Sequence, residues 1–273
     1  MNRYELFRRA AADHGVPGEE ADQFAGQLRF AVWLGYARPG DQVAGWSEGS
    51  AALPADVEWP TSTTGFPLPF SASVDCALLP RAEGLPLPED GSLVFFLDAE
   101  RDLNAQPGMA APEFARVLHV PAEVGAVSPG EDSTALTAWV EPVLPEWVED
   151  REGTDGMEHV DLLCDLVEKL WPEQDRGLAL RIGGHTRRKG GQDTPWTRMA
   201  KLNLLDRLRD PDLPRPERFR LRREEEHRLL RDWVPLAQFH TGSDYYHGCF
   251  LISSDDLAAR RFDGMRSFTV FTE

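Results

Sequence analysis

The sequence predicts an α+β fold with a largely antiparallel sheet. Three observations carry this. Strand-length and helix-length apolar segments come in mixed order rather than in strict alternation. Successive strand candidates stand at hairpin-like spacing. A set of short features also recurs, in the same order, in the two halves of the chain.

The elements follow in order. Tyr4 to His14 reads as a helix stopped by Gly15, with Val16-Pro17-Gly18 as a turn. Glu19 to Tyr36 reads as a second helix, because Ala21, Phe24, Ala25, Leu28, Val32 and Tyr36 keep the spacing of one buried helical face. Residues 1–38 are therefore expected to be an N-terminal helical segment added to a main domain over 39–273. Pro39 to Pro69 is rich in Pro, Gly, Ser and Thr and reads as irregular. Ser92–Leu97 is a continuous apolar run of strand length, and Arg116–Val120 and Thr134–Val143 are further strands bounded by Pro and Gly. Gly156 to Trp171 is a helix, with Leu163, Leu166, Val167 and Leu170 on one face and Pro172 as its stop. A polar insertion over about 198–232 contains some helix and ends in a charged helix, Arg218–Asp232. Val234–His240, Cys249–Ser253 and Arg266–Thr272 are strands. Ser253 to Asp256 carries the hydroxyls and carboxylates that open a helix, so a short turn over Leu257–Arg261 is expected.

Composition sets the bounds. With 273 residues, 41% of them apolar, and with eight Trp and fourteen Phe, the chain can bury a sizeable core and is not a disordered segment. No stretch approaches the ~20 apolar residues of a membrane span. The three cysteines, Cys76, Cys164 and Cys249, are too few and too scattered for a disulfide framework. With no apolar leader after Met1, that predicts a cytoplasmic protein. The 29 cationic side chains include only three Lys, the pattern of a GC-rich, bacterial genome.

The repeat is faint but ordered. Val43-Ala44-Gly45-Trp46 is matched by Arg181 to His185, with Gly45 set against Gly184. Trp59-Pro60 is loosely matched by Pro195-Trp196. Ala72-Ser73-Val74-Asp75 is matched by Ala237-Gln238-Phe239-His240, and each is followed by a Gly-led apolar strand. The half-repeats span about 39–150 and 176–273, and the extra length of the second falls in its polar insertion, where added loop costs little.

The segments Leu53-Pro54, Glu58-Trp59-Pro60, Pro69 to Asp75 and Leu87 to Phe96, with Leu236 to Phe239 and Ile252 to Asp263, resemble the YwqG-like family, bacterial proteins of unknown function. The matched segments cover most of the chain from about Val43 onward. The resemblance implies an α+β fold with two intertwined repeats. It implies no established activity, and it points to an immunity-type role beside bacterial toxin systems. The family pattern carries acids where this chain has Gln238-Phe239-His240 and Tyr245-Tyr246-His247.

Several constellations bear on chemistry. Gly45-Trp46-Ser47-Glu48-Gly49 fits the spacing of a serine nucleophile elbow, but Pro54 leaves no room for the helix that must follow, so Ser47 reads as a turn residue. His240, His247 and Cys249 match no zinc spacing, and no metal or cofactor is expected. Asp75 and His240 fall at equivalent positions, where a twofold arrangement would make an acid–base pair; a turn-capping role is the plainer reading of Asp75. Gly183 to Gly191 is a basic, glycine-rich loop whose amides and Arg187 and Arg188 could cradle an anion, the plainer reading being a surface loop. No catalytic set emerges. Trp46, Asp75, His185, Arg187, Arg188, Gln238 and His240 are the candidate ligand-binding residues.

The formal charge is −17, but it is unevenly spread: residues 176–231 carry +8 and the remainder −25. The basic segment is expected to dock on the acidic body, with Arg220, Arg222 and Arg223 facing its carboxylates. The acidic remainder repels phosphates and disfavours nucleic acid as a partner. It suits a basic protein partner. The leading expectation is thus a non-catalytic protein-binding module, and the alternative is an enzyme or small-ligand binder using a cleft between the repeats. A deep pocket lined by polar groups and Trp would favour the alternative.

Overall fold

Ser92–Leu97 holds Leu93, Val94, Phe95 and Phe96 in succession, all fully buried. A strand alternates its side chains between two faces, so such a run needs cover on both sides. The computed structural model shows how that cover is built, and it describes residues 2–105, 113–149, 157–187, 191–241 and 245–272. In chain order the elements are α1 (Arg3–Asp13), α2 (Gly18–Ala25), β1 (Arg29–Tyr36), β2 (Gly45–Ser47), β3 (Ala51–Ala52), β4 (Phe70–Asp75), β5 (Ser92–Leu97), α3 (Ala99–Asn104), β6 (Ala115–Val120), β7 (Ser128–Pro129), β8 (Thr134–Val143), α4 (Glu146–Glu149), α5 (Val160–Leu170), β9 (Leu178–Gly183), α6 (Pro195–Asn203), α7 (Leu205–Leu208), α8 (Arg215–Asp232), β10 (Trp233–Thr241), β11 (Tyr246–Ser253), α9 (Ser254–Ala258) and β12 (Arg266–Phe271). The fold is α+β. Ten strands form one sheet in the order β12-β11-β10-β9-β1-β8-β2-β4-β5-β6, and their pairings are antiparallel.

The sheet has two wings, β2-β4-β5-β6 and β9-β10-β11-β12, joined by the central pair β1 and β8. Its inner face carries the main core, including Val32, Leu34, Val74, Phe95, Leu136, Ile182 and Phe250. The wings roll toward each other over this face. Phe95 of β5 lies 6.2 Å from Phe250 of β11 and 6.5 Å from Phe239 of β10, ring centre to ring centre. Asp102 of α3, just beyond β5, accepts hydrogen bonds from Ser267 and Thr269 of β12 and so ties one wing to the other. Helices α1, α2 and α5 pack together in a separate apolar cluster around Phe7, Phe24, Leu28 and Leu163.

One expectation is corrected at the N-terminus. The helix read over Glu19–Tyr36 stops at Ala25, with Gly26 as its cap, and Arg29–Tyr36 is the central strand β1. A central strand is buried on both faces, so Phe30-Ala31-Val32-Trp33-Leu34 is apolar throughout. Such a run satisfies helical spacing as easily as strand spacing. Residues 1–38 are therefore helical only in their first part.

A second correction concerns the basic segment. At its start Arg176 does pair with Asp41 of the body, but Arg220 and Arg222 do not face the body's carboxylates. Arg220 pairs with Glu217 and Glu224, Arg222 with Glu226, and Arg228 with Glu225 and Asp232, all within α8. Side chains three and four apart on a helix are neighbours, and that supplies a nearer partner than any distant surface. The segment docks instead by apolar contact: Trp196, Met199, Ala200 and Leu229 pack on Cys249, Leu251 and Phe268.

Candidate functional site

Antiparallel register places directly opposed residues on the same face of a sheet. Across the second wing that rule generates one row. Phe268 is opposite Cys249, Cys249 opposite Gln238, Gln238 opposite Arg181, Arg181 opposite Trp33, and Trp33 opposite Trp139. The row lies on the outer face, away from the main core. Its middle is polar and fixed. Arg181, only 6% exposed, donates to His185 O at 2.7 Å and to Gln238 Oε1 at 2.9 Å, and its guanidinium sits 5.1 Å over the Trp33 ring. Gln238 in turn donates to Gly183 O at 3.2 Å.

Over this floor α5 and Trp171 stand on one side and Pro195, at the start of α6, on the other, and the space between them is a cavity of about 650 Å³. Ligand sites commonly fall in the range of roughly 300–1,000 Å³. Trp33, Trp171 and Phe268 supply apolar wall, and Glu141, Arg181, Thr186, Gln238 and His247 supply polar groups. Glu141 is 9% exposed and Thr186 8% exposed. Yet Glu141 Oε1, Thr186 Oγ1 and the indole nitrogen of Trp33 are buried without a hydrogen-bond partner. A buried polar atom left so costs about 1–3 kcal/mol. Burial pushes the Glu141 carboxyl above the ordinary carboxylate range, and the like charge of Glu173 adds to this; hydrogen bonds from the Trp139 indole and the Gln174 backbone pull the other way. The Cys249 thiol on the same floor is pushed up to about 12 by burial, which removes it as a nucleophile at neutral pH.

A second cavity of about 810 Å³ lies on the far side of Thr186, which lines both. His185 borders it and contacts Gln27 O through Nε2 at 2.8 Å, as a donor to that carbonyl. Burial lowers its pKa to about 4, so the ring is neutral near pH 7.

Of the candidates read from the sequence, Gln238 and Arg187 border the first cavity and His185 the second. Trp46 and Asp75 border neither. They belong to β2 and β4, three and four strands away from β9 in the sheet order. Asp75 Oδ1 accepts from Ala77 N at 2.9 Å, a turn-capping bond. Arg188 and the side chain of His240 lie outside the described residues, as do parts of the basic loop. Ser47 sits in β2, buried, opposite Ala72 and Thr134. Positive φ falls on Glu48 and Gly49, and the short strand β3 follows, not a helix, so the nucleophile-elbow geometry is missing. Among the described residues no group of three or more His, Cys, Asp or Glu is placed to hold a metal ion. No helix of the described residues is long and apolar enough to cross a membrane.

Trp33, Glu141, Arg181 and Thr186 did not stand out from the sequence. Their signal was present: Glu141 interrupts the apolar strand 134–143, and Arg181 interrupts Leu178–Ile182. A charge inside a run that is otherwise buried needs a partner or a ligand.

An α+β protein with a rolled sheet and a polar cavity on its outer face is thus defined. The chain belongs to the family described as domain of unknown function DUF1963, whose model matches residues 48–268. A search among curated proteins finds no match.

Proposed function

We propose that the chain is a small-molecule-binding protein, with its site in the cavity over β8, β1, β9 and β10. One observation carries this reading: Glu141, Thr186 and Trp33 line the cavity, and each holds a buried polar atom without a partner. Protein interiors rarely leave such atoms unpaired, and a ligand that pairs them recovers their cost. The cavity favours the small-ligand alternative over the protein-binding module as the leading reading.

The same proposal includes an internal duplication. Strands 2-4-5-6 and 9-10-11-12 run outward in matching order. The half-repeat bounds move from 39–150 and 176–273, so that β1 leads the first half and β8 the second; each leading strand then sits beside the other half, β1 against β9 and β8 against β2. Each half also has a bulge at the corresponding place, between Phe70 and Ala72 on β4 and between Pro235 and Ala237 on β10. Bulges are specific features, and a shared one supports common descent of the halves. Register keeps the match of Ala72–Asp75 with Ala237–His240. It aligns Trp46 with Arg181 and Gly45 with Leu180, so the match of Gly45 with Gly184 read from the sequence is shifted. The YwqG-like resemblance and a bacterial, cytoplasmic setting belong to this reading and rest on the order of matched segments and on composition.

A thermal-shift screen against a library of small polar metabolites tests the site. A ligand at about a hundred times its Kd adds roughly 2.7 kcal/mol of stability. Hits should vanish in Ala179→Trp, which fills the cavity from β9, while circular dichroism stays native. A screen without hits, or hits untouched by Ala179→Trp, contradicts the proposal.

A further inference from the structure

We infer that the cavity takes a small zwitterion, its cationic nitrogen directed at Glu141 and its carboxylate at Trp33 and Arg181. The inference rests on the ligand-site reading above and adds the chemistry of the ligand. Glu141 Oε1 is nine-tenths buried and unpartnered. An ionised carboxylate only accepts hydrogen bonds, so what it lacks is a donor. The charged group that bears on it is Glu173, of the same sign, and Glu168 also lines this end. A donor that carries positive charge answers both needs.

The other end has the opposite polarity. An indole N–H only donates, so what Trp33 Nε1 lacks is an acceptor. The Arg181 guanidinium over the same ring, and Arg187 on the cavity wall, make this end positive. A carboxylate fits there better than a neutral carbonyl, because charge-assisted hydrogen bonds are about twice as strong. Glu141 on β8 and Arg181 on β9 flank β1 from its two sides. Glu141 is opposite Ala31 and Arg181 opposite Trp33, so the two residues stand two strands apart and two residues apart along the sheet, roughly 11–12 Å between their backbones. That spacing calls for an amine and a carboxylate several bonds apart, as in an ω-amino acid or a dipeptide. The two charges of an α-amino acid sit too close together to reach both ends.

Calorimetric titration of the full chain with 6-aminohexanoate, hexylamine, hexanoate and N-acetyl-6-aminohexanoate tests this. The zwitterion should bind at least about tenfold more tightly than any of the other three. Glu141→Gln should weaken 6-aminohexanoate and hexylamine by about 10- to 100-fold and leave hexanoate unchanged. Trp33→Phe should weaken 6-aminohexanoate and hexanoate and leave hexylamine unchanged. In the wild-type protein the Trp33 indole proton resonance should shift on titration with 6-aminohexanoate, which keeps the test independent of how either variant folds. The inference is overturned if the acetylated analogue or hexanoate binds as well as the zwitterion, or if Glu141→Gln leaves zwitterion binding intact. If none of the four binds while the metabolite screen yields hits lost in Ala179→Trp, the zwitterion fails and the ligand site stands. If that screen is empty too, both fail.

Discussion

On the outer face of the first wing, Trp46, Ser73, Val94 and Leu118 form a cross-strand row. The corresponding row of the second wing is Arg181, Gln238, Cys249 and Phe268. The first is sealed. Leu53, Val57, Trp59 and Leu68 from the preceding segment pack with Val94 and Phe96 in one cluster. Trp59 meets Phe96 edge-on at 5.0 Å, and its indole N–H donates to Leu68 O at 2.9 Å. The second row is sealed only at its outer end, by α6 and α8, and its inner end opens into the cavity. Here the indole N–H of Trp33 has no acceptor. Two buried carboxylates repeat the contrast: Asp102 accepts from two hydroxyls, while an oxygen of Glu141 has no donor. One sheet thus carries polar groups satisfied for stability and polar groups left unsatisfied at a cavity. Unsatisfied groups lower the stability of the empty protein, a familiar cost of function.

Substitutions on the two sides should therefore differ in sign. The largest effect belongs to the sealed face. Phe96→Ala should cost about 3–5 kcal/mol, measured by urea unfolding, because it empties a fully buried site. A loss under about 1 kcal/mol would show that this face is less tightly packed than its contacts imply. Asp102→Ala comes next, at roughly 2–3 kcal/mol, since it strands the hydroxyls of Ser267 and Thr269 and unties the wings.

Smaller effects sharpen the contrast between the tryptophans. Trp59→Phe should cost roughly 1–2 kcal/mol by orphaning Leu68 O. Trp33→Phe should cost less than Trp59→Phe in the same unfolding assay, because no hydrogen bond of its indole is lost. Thr186→Val, which swaps an unpartnered hydroxyl for a methyl, should raise the unfolding midpoint by up to ~1 kcal/mol of stability. A fall of that size would mean that the hydroxyl is paired in solution.

Several elements were legible in the sequence because their signals are local. Ser92–Leu97 and Thr134–Val143 begin and end where Gly, Pro and polar residues bound them. A hydroxyl of the expected capping group, that of Ser253, does cap a helix, which runs over Ser254–Ala258 and not over Leu257–Arg261. The capping role of Asp75 was the plainer of its two readings. What escaped was long-range. The run Phe30–Leu34 is apolar on both faces because it lies mid-sheet, and no local signal separates that from a buried helix. The candidate site escaped for the same reason. Trp33, Glu141 and Arg181 are separated by more than a hundred residues of chain or by a crossover, and only strand register brings them onto one floor. Gln238, named from the match between the two halves of the sequence, does border the cavity.

The central claim is that the polar atoms at the cavity are kept for a ligand and not for the fold. Urea unfolding of Glu141→Leu in the absence of small molecules tests it most directly. Replacing a buried carboxyl that has one unpartnered oxygen by an apolar side chain of similar volume should raise the unfolding free energy by about 1–2 kcal/mol with an unchanged m-value. A loss of about 1 kcal/mol or more would contradict the account, because it would show that Glu141 is already satisfied by the protein itself.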